Sequence, residues 1–226
     1  MSTEPQPLPS SSTTPNPAQD KGFQTWSRRF GMLTGLGMSS DERSAQIAES
    51  QRQHCEKWKY DLLHYSPAIV FMFQQLRAIG SNVTPDHLVC TPCAATQAGG
   101  FTPSNGSISL CQGLFLHKKH MESTIVHELV HMYDQTKFEV DWDNLRHHAC
   151  SEIRANSLSG DCRWSREFFD RFQTGFSKQH QACVRRRAVV SVRANPNCPD
   201  AATAERAVNE VWESCFNDTR PFDEIY

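Results

Sequence analysis

The sequence predicts an α+β domain that is mostly helical, with one small sheet and a disulfide brace. Three observations predict it. Apolar residues recur at steps of three and four over much of residues 39–226. Two short β-rich runs, residues 87–90 and 107–111, flank a stretch holding Pro92, Gly99, Gly100, Pro103 and Asn105-Gly106. Nine cysteines are many for a compartment where thiols are kept reduced, so disulfides are expected. At 226 residues and 25.7 kDa the chain can bury its core as one domain.

Residues 1–17 hold five prolines and seven serines or threonines, with Met1 and Leu8 as their apolar residues, too few to offset the entropy of ordering. Residues 1–38 therefore read as a flexible tail and residues 39–226 as the domain. Within the tail Phe23, Trp26, Phe30 and Leu33 recur at helical spacing beside Lys21, Arg28 and Arg29, a candidate peripheral membrane segment. Ser39 with Glu42 has capping-box spacing, and Ile47, Gln51, Cys55, Trp58 and Leu62 follow as an amphipathic stripe. Ser66, Pro67 and Gly80 bracket a second, more buried helix through Ile69, Phe71, Phe73, Leu76 and Ile79. The two β-rich runs are expected to pair as a loose hairpin, with Cys90 or Cys93 bonded to Cys111 across its stem and one cysteine left over by parity. Beyond residue 119 the pattern is helical, interrupted near 135–143, 158–162 and 196–199.

Charge excludes one class of partner. The 23 basic and 25 acidic residues are interleaved, giving a net charge of −2 and no field that favours nucleic acid. The longest apolar run, residues 68–73, is far short of a membrane span, so any membrane attachment is expected to be peripheral. Cys90-x-x-Cys93 has chelate spacing, but no second pair answers it as a zinc ribbon requires.

The chemistry concentrates in His127-Glu128-Leu129-Val130-His131. Residues four apart share a helix face, so His127 and His131 can direct two imidazoles at one Zn²⁺, and Glu128 is placed to act as general base and acid. A catalytic zinc needs a third protein ligand. The extended motif that would supply a histidine soon after His131 is absent. Residues 144–158 read as a second helix whose stripe of Leu145, Ala149, Ile153 and Asn156 adjoins Glu152, which makes Glu152 the expected third ligand. Asp134, His147 and His148 are the competing ligands. Asn156 is a candidate for orienting a histidine ligand, and His147 or His148 for steadying an oxyanion. Two histidines and one glutamate from packed helices form a gluzincin-type set, so the domain is expected to be a zincin-like metalloprotease.

The runs His127-Glu128-Leu129-Val130-His131-Met132-Tyr133-Asp134, Val140-Asp141-Trp142, residues 147–155 and Leu158-Ser159-Gly160-Asp161-Cys162 resemble the mitochondrial inner-membrane metalloproteases that process ATP synthase subunit six and assist its assembly. Gly99-Gly100-Phe101 and Cys111-Gln112 resemble that family's upstream hairpin. The resemblance implies a peptidase bound peripherally to the inner membrane on its intermembrane-space side, with a subunit-six precursor as substrate and the intermembrane-space oxidative import machinery as partner. It also implies a rival reading, a disulfide-stabilised assembly chaperone without proteolysis. One departure is visible: Thr136 stands where the family commonly has a cysteine. Finally, the run 107–111 lies shortly before the catalytic helix, so its strand edge is expected to receive the substrate peptide, with Gly99-Gly100 either allowing close approach or turning the hairpin.

Overall fold

Capping chemistry sets the helix ends. In the computed structural model, which describes residues 25–26, 29–31, 39–93, 97–162 and 179–223, helix α1 spans Ser40–Tyr65. The Glu42 N–H donates to Ser39 Oγ (3.2 Å) and the Ser39 N–H to Glu42 Oε2 (3.0 Å), a reciprocal cap. On the expected stripe Cys55 and Leu62 are buried, whereas Ile47 is exposed. Helix α2, Pro67–Ala78, starts at Ser66, whose Oγ accepts the Ile69 N–H, and is followed by Gly80 at φ +89°, a conformation that favours glycine. Later come α3 (Lys118–Phe138), α4 (Leu145–Leu158), α5 (Gln179–Arg193) and α6 (Ala201–Phe216). Asn144 caps α4 by accepting the Arg146 N–H (3.0 Å) and Asp200 caps α6 by accepting that of Thr203 (2.7 Å).

The sheet differs from the expected hairpin. Strands β1 (Leu88–Thr91), β2 (Gly99–Thr102) and β3 (Ser107–Cys111) lie in the order β1-β3-β2. β1 runs parallel to β3, pairing Leu88 with Ile108, while β2 runs antiparallel to it, pairing Gly99 with Leu110. The glycine-rich stretch between the two expected strands thus contains a strand of its own. Its two glycines hid it, because glycine is depleted in strands and reads as a turn. β3 is consequently the central strand, bonded on both sides, and cannot offer an edge to substrate. The edge nearest the catalytic helix belongs to β2.

Two apolar clusters hold the 48–226 unit together, and α4 contributes to both. Ala155 and Leu158 join Leu76, Leu110, Ile125 and Leu129 in one, whereas Ala149 and Ile153 join Val184, Val192, Val208 and Trp212 in the other. Each fully buried leucine, isoleucine or valine among them contributes roughly 1.5–3 kcal/mol. Disulfides Cys55–Cys90 and Cys93–Cys111 brace the sheet, so the Cys90-or-Cys93 alternative resolves to Cys93. Cys150–Cys215 and Cys162–Cys183 brace the helical layer, leaving Cys198 free. Thiol counting under denaturing, non-reducing conditions is expected to find one free thiol; eight or nine would contradict this pairing.

Residues 1–47 cluster as a separate unit from 48–226. Most of the expected tail and of its Phe23–Leu33 segment lies outside the described residues, although Trp26 and Phe30 stack at 5.3 Å and are both exposed. Among the described residues no helix is long and apolar enough to cross a membrane.

Candidate active site

Helix α3 brings His127 and His131 onto one face, their Nε2 atoms 3.1 Å apart. Helix α4 brings Glu152 opposite, with Oε2 3.7 Å from His127 Nε2 and Oε1 3.5 Å from His131 Nε2. A tetrahedral ion held at about 2.0–2.2 Å from each ligand atom needs those atoms roughly 3.3–3.6 Å apart. The observed spacings of 3.1, 3.5 and 3.7 Å bracket that range, and one ligand atom from each of His127, His131 and Glu152 lies within 4.8 Å of the others, so among the described residues these three form the group that can hold a metal ion. Of the competing candidates, His148 lies beside Glu152, its Nε2 3.6 Å from Oε1, but outside that three-residue group, and the other two are engaged elsewhere. Asp134 is engaged by Arg154 and Ser151, and His147 Nδ1 accepts the Asp141 N–H (3.2 Å).

His131 and Glu152 are each held by further side chains. His131 Nδ1 lies 2.8 Å from Ser151 Oγ, which donates to Asp134 Oδ2 (2.9 Å), and Arg154 Nε donates in turn to Asp134 Oδ1 (3.0 Å). This chain fixes the His131 ring with Nε2 toward the site. Glu152 is fixed by Ser191 Oγ donating to Oε1 (2.6 Å) and Asn156 Nδ2 donating to Oε2 (3.0 Å). Asn156 therefore orients the carboxylate rather than a histidine, and Arg187 Nε holds its Oδ1 (2.6 Å). Sequence reasoning missed Ser151, Ser191 and Arg187 in these roles. A serine inside the buried α4 stretch was a usable signal for Ser151, whereas nothing local marks the two residues of α5.

Taken by themselves, the side chains perturb one another strongly. Burial pushes Glu128 up to about 7, the charges of His131 and Glu152 acting in opposite directions on it. Burial and the neighbouring His131 push His127 down to about 4. For His131 burial acts downward too, but the hydrogen bond and charge of Glu152 prevail and lift it to about 9. Glu152 is driven up by burial and down, more strongly in sum, by His131, His148 and His127.

The β2 edge closes over Glu128. The Phe101 backbone N–H is bonded to the Glu128 carboxylate. A Cβ on Gly99 would stand 2.7 Å from Thr124 Cγ2 and 3.4 Å from Glu128 Oε1, so Gly99 is what lets the strand lie against α3. Gly100 has open space around its Cα instead. Trp142 forms another wall, its ring 5.7 Å from that of His131, 5.9 Å from His148 and 6.2 Å from Phe101.

A His-Glu-x-x-His helix beside a small sheet, with a glutamate from the next helix, is the arrangement of a zincin-like peptidase. Residues 53–223 match the Peptidase M76 family, and the chain belongs to that family. It is 49% identical over 214 residues to the mitochondrial inner membrane protease atp23 of Neosartorya fischeri, covering 92% of this chain and 90% of that protein. The Kluyveromyces lactis protein of the same name is 47% identical over 234 residues, 94% of each chain. That of Eremothecium gossypii is 50% identical over 223 residues, 91% of this chain and 89% of the relative. No solved structure matches.

Proposed function

We propose that this peptidase is a zinc-dependent endopeptidase in which His127, His131 and Glu152 hold one zinc ion and Glu128 is the general base and acid. The convergence of the two imidazoles, 3.1 Å apart, on the Glu152 carboxylate, whose oxygens lie 3.5 and 3.7 Å from them, with Glu128 next to His127, carries this reading. A bound zinc supplies Lewis-acid polarisation of the scissile carbonyl and acidifies the attacking water. Glu128 takes a proton from that water and passes it to the leaving amine. The outer edge of β2 presents backbone groups to which an extended peptide adds as a further strand, held beside Glu128.

The relatives' names place them at the mitochondrial inner membrane, which supports the same location here. Four disulfides favour the oxidising intermembrane-space side, reached through that compartment's oxidative import machinery. The substrate proposed by resemblance is the precursor of ATP synthase subunit six, with a role in assembling the membrane sector. The exposed Trp26–Phe30 pair supports the second reading, a chaperone that grips an apolar partner without proteolysis.

Metal analysis combined with cleavage of a peptide spanning the subunit-six leader junction tests the enzyme. The wild-type chain is expected to carry about one zinc, and His127→Ala, His131→Ala and Glu152→Ala to lose most of the zinc and the cleavage together. Full zinc retention in Glu152→Ala, with loss in Asp134→Ala or His148→Ala, would show the ligand set to be wrong.

A further inference from the structure

One imidazole converges on the metal-holding group without belonging to it. His148 sits one turn before Glu152 on α4, its Nε2 3.6 Å from Glu152 Oε1, beyond a good hydrogen bond. Its other nitrogen is engaged: Nδ1 lies 2.9 Å from Asn195 Nδ2. The orientation of the Asn195 amide is set by two further bonds. Its Oδ1 accepts the Asn197 backbone N–H (2.9 Å), and its Nδ2 donates to the Trp142 carbonyl (3.0 Å). Flipping the amide would set oxygen against oxygen at Trp142 and N–H against N–H at Asn197. Asn195 must then donate to His148 Nδ1, which accepts with its lone pair. A neutral imidazole that accepts at Nδ1 carries its hydrogen on Nε2.

We propose that His148 is an oxyanion-stabilising catalytic residue, its Nε2–H donating to the tetrahedral intermediate, and that Asn195 is the positioning residue that fixes this tautomer. The assignment rests on the peptidase reading above and explains why His148 is not a metal ligand, since an Nε2 bearing hydrogen has no lone pair to give. In the addition step the water oxygen bonds to the carbonyl carbon, the C=O π pair moves onto the carbonyl oxygen, and the water's proton goes to Glu128. The His148 N–H then faces new negative charge and keeps its own proton. As the C–N bond breaks, the oxyanion pair re-forms the C=O bond and Glu128 protonates the amine. Because the charge exists only in the transition state and intermediate, the contact acts on kcat more than on KM.

The full disulfide-bonded chain tests this with His148→Phe and Asn195→Asp. The first removes the donor at similar size. The second replaces the amide donor with a carboxylate that accepts from Nδ1, moving the ring hydrogen to the wrong nitrogen. His148→Phe is expected to lower kcat for the leader-junction peptide by about 10²–10³-fold with KM nearly unchanged and zinc at the wild-type level. Asn195→Asp is expected to lower kcat in the same direction, and a phosphinic peptide that mimics the tetrahedral oxyanion should lose affinity in both variants. Ring ¹⁵N NMR reads the tautomer without turnover: His148 should carry its hydrogen on Nε2 in wild type and on Nδ1 in Asn195→Asp. Unchanged kcat in His148→Phe, zinc loss in that variant, or an Nδ1–H tautomer in wild type would each overturn the proposal. A wild-type chain that holds zinc but cleaves nothing would overturn the peptidase reading and this one with it.

Discussion

Glu128→Gln is expected to reduce peptide cleavage by about 10³-fold or more while the zinc content stays at the wild-type value. Proton transfer by a positioned group contributes about 10²–10⁴ in rate, and here one group serves both water and leaving amine. Glutamine keeps the side-chain volume and still accepts the Phe101 N–H, but it can neither take nor return a proton. Single-turnover cleavage and metal analysis measure the two halves. Cleavage at more than a tenth of the wild-type rate would remove Glu128 from the mechanism. Complementation of ATP synthase assembly by the same variant separates the readings: rescue with unprocessed precursor favours the chaperone role, and failure ties function to proteolysis.

The same substitution has a pH signature in protein stripped of metal. The Glu128 carboxyl is raised from 4.5 to about 7 in the folded protein, so the folded state binds this proton more tightly than the unfolded chain does. Stability from the group is present below about pH 4.5 and is lost as pH rises through about 7. Chelated Glu128→Gln protein should therefore be more stable than chelated wild type at pH 8, by on the order of 3 kcal/mol, and the gap should close toward pH 4.5. A gap that widens on acidification would contradict the assignment of burial as the cause.

The second large effect lies beneath the site. Arg154 and Asp134 are each 2% exposed, paired at 3.0 Å, and Arg154 also bonds the Asp218 carboxylate and carbonyl, each at 2.7 Å, and the Arg220 carbonyl. Burial pushes the Asp134 carboxyl up and Arg154 pulls it back. Arg154→Met fills much of the volume but leaves a buried carboxylate uncompensated, at a cost of about 3–5 kcal/mol. That corresponds to a fall in Tm on the order of 10 °C. Adding Asp134→Asn should recover part of the loss, because the stranded charge is then gone. A loss below about 1 kcal/mol, or a double variant less stable than the sum of the singles, would show that the pair does not anchor this layer. The His131–Ser151–Asp134 chain predicts weaker zinc binding in Arg154→Met as well, since the ring loses its support.

Much of this architecture is written locally. The Ser39–Glu42 box, the Ser66-Pro67 start and the Gly80 stop depend on contacts within four or five residues, and the helices begin and end there. His127, Glu128 and His131 lie within one helical turn, so their common face follows from periodicity alone. The position of Glu152 opposite the two histidines was reachable because a carboxylate beside the apolar stripe of Ala149 and Ile153 has to be compensated. The β2 strand was not reachable. Gly99 and Gly100 carry no side chain to mark a strand, and what makes them one is the partner β3 and the closeness of Thr124 on α3.

The helix limits, the metal-type motif and the abundance of cysteine are legible in the chain alone, because each is a property of neighbouring residues or of composition. Folding is what makes β3 central and β2 the edge, joins Cys93 rather than Cys90 to Cys111, and brings Ser191 and Asn195, 39 and 47 residues beyond Glu152 and His148, back to hold them. Those outcomes depend on how α5 packs against α4 and how the strands stack on α3. Such packing is fixed by burial summed over the whole core, and no short window of sequence contains that sum.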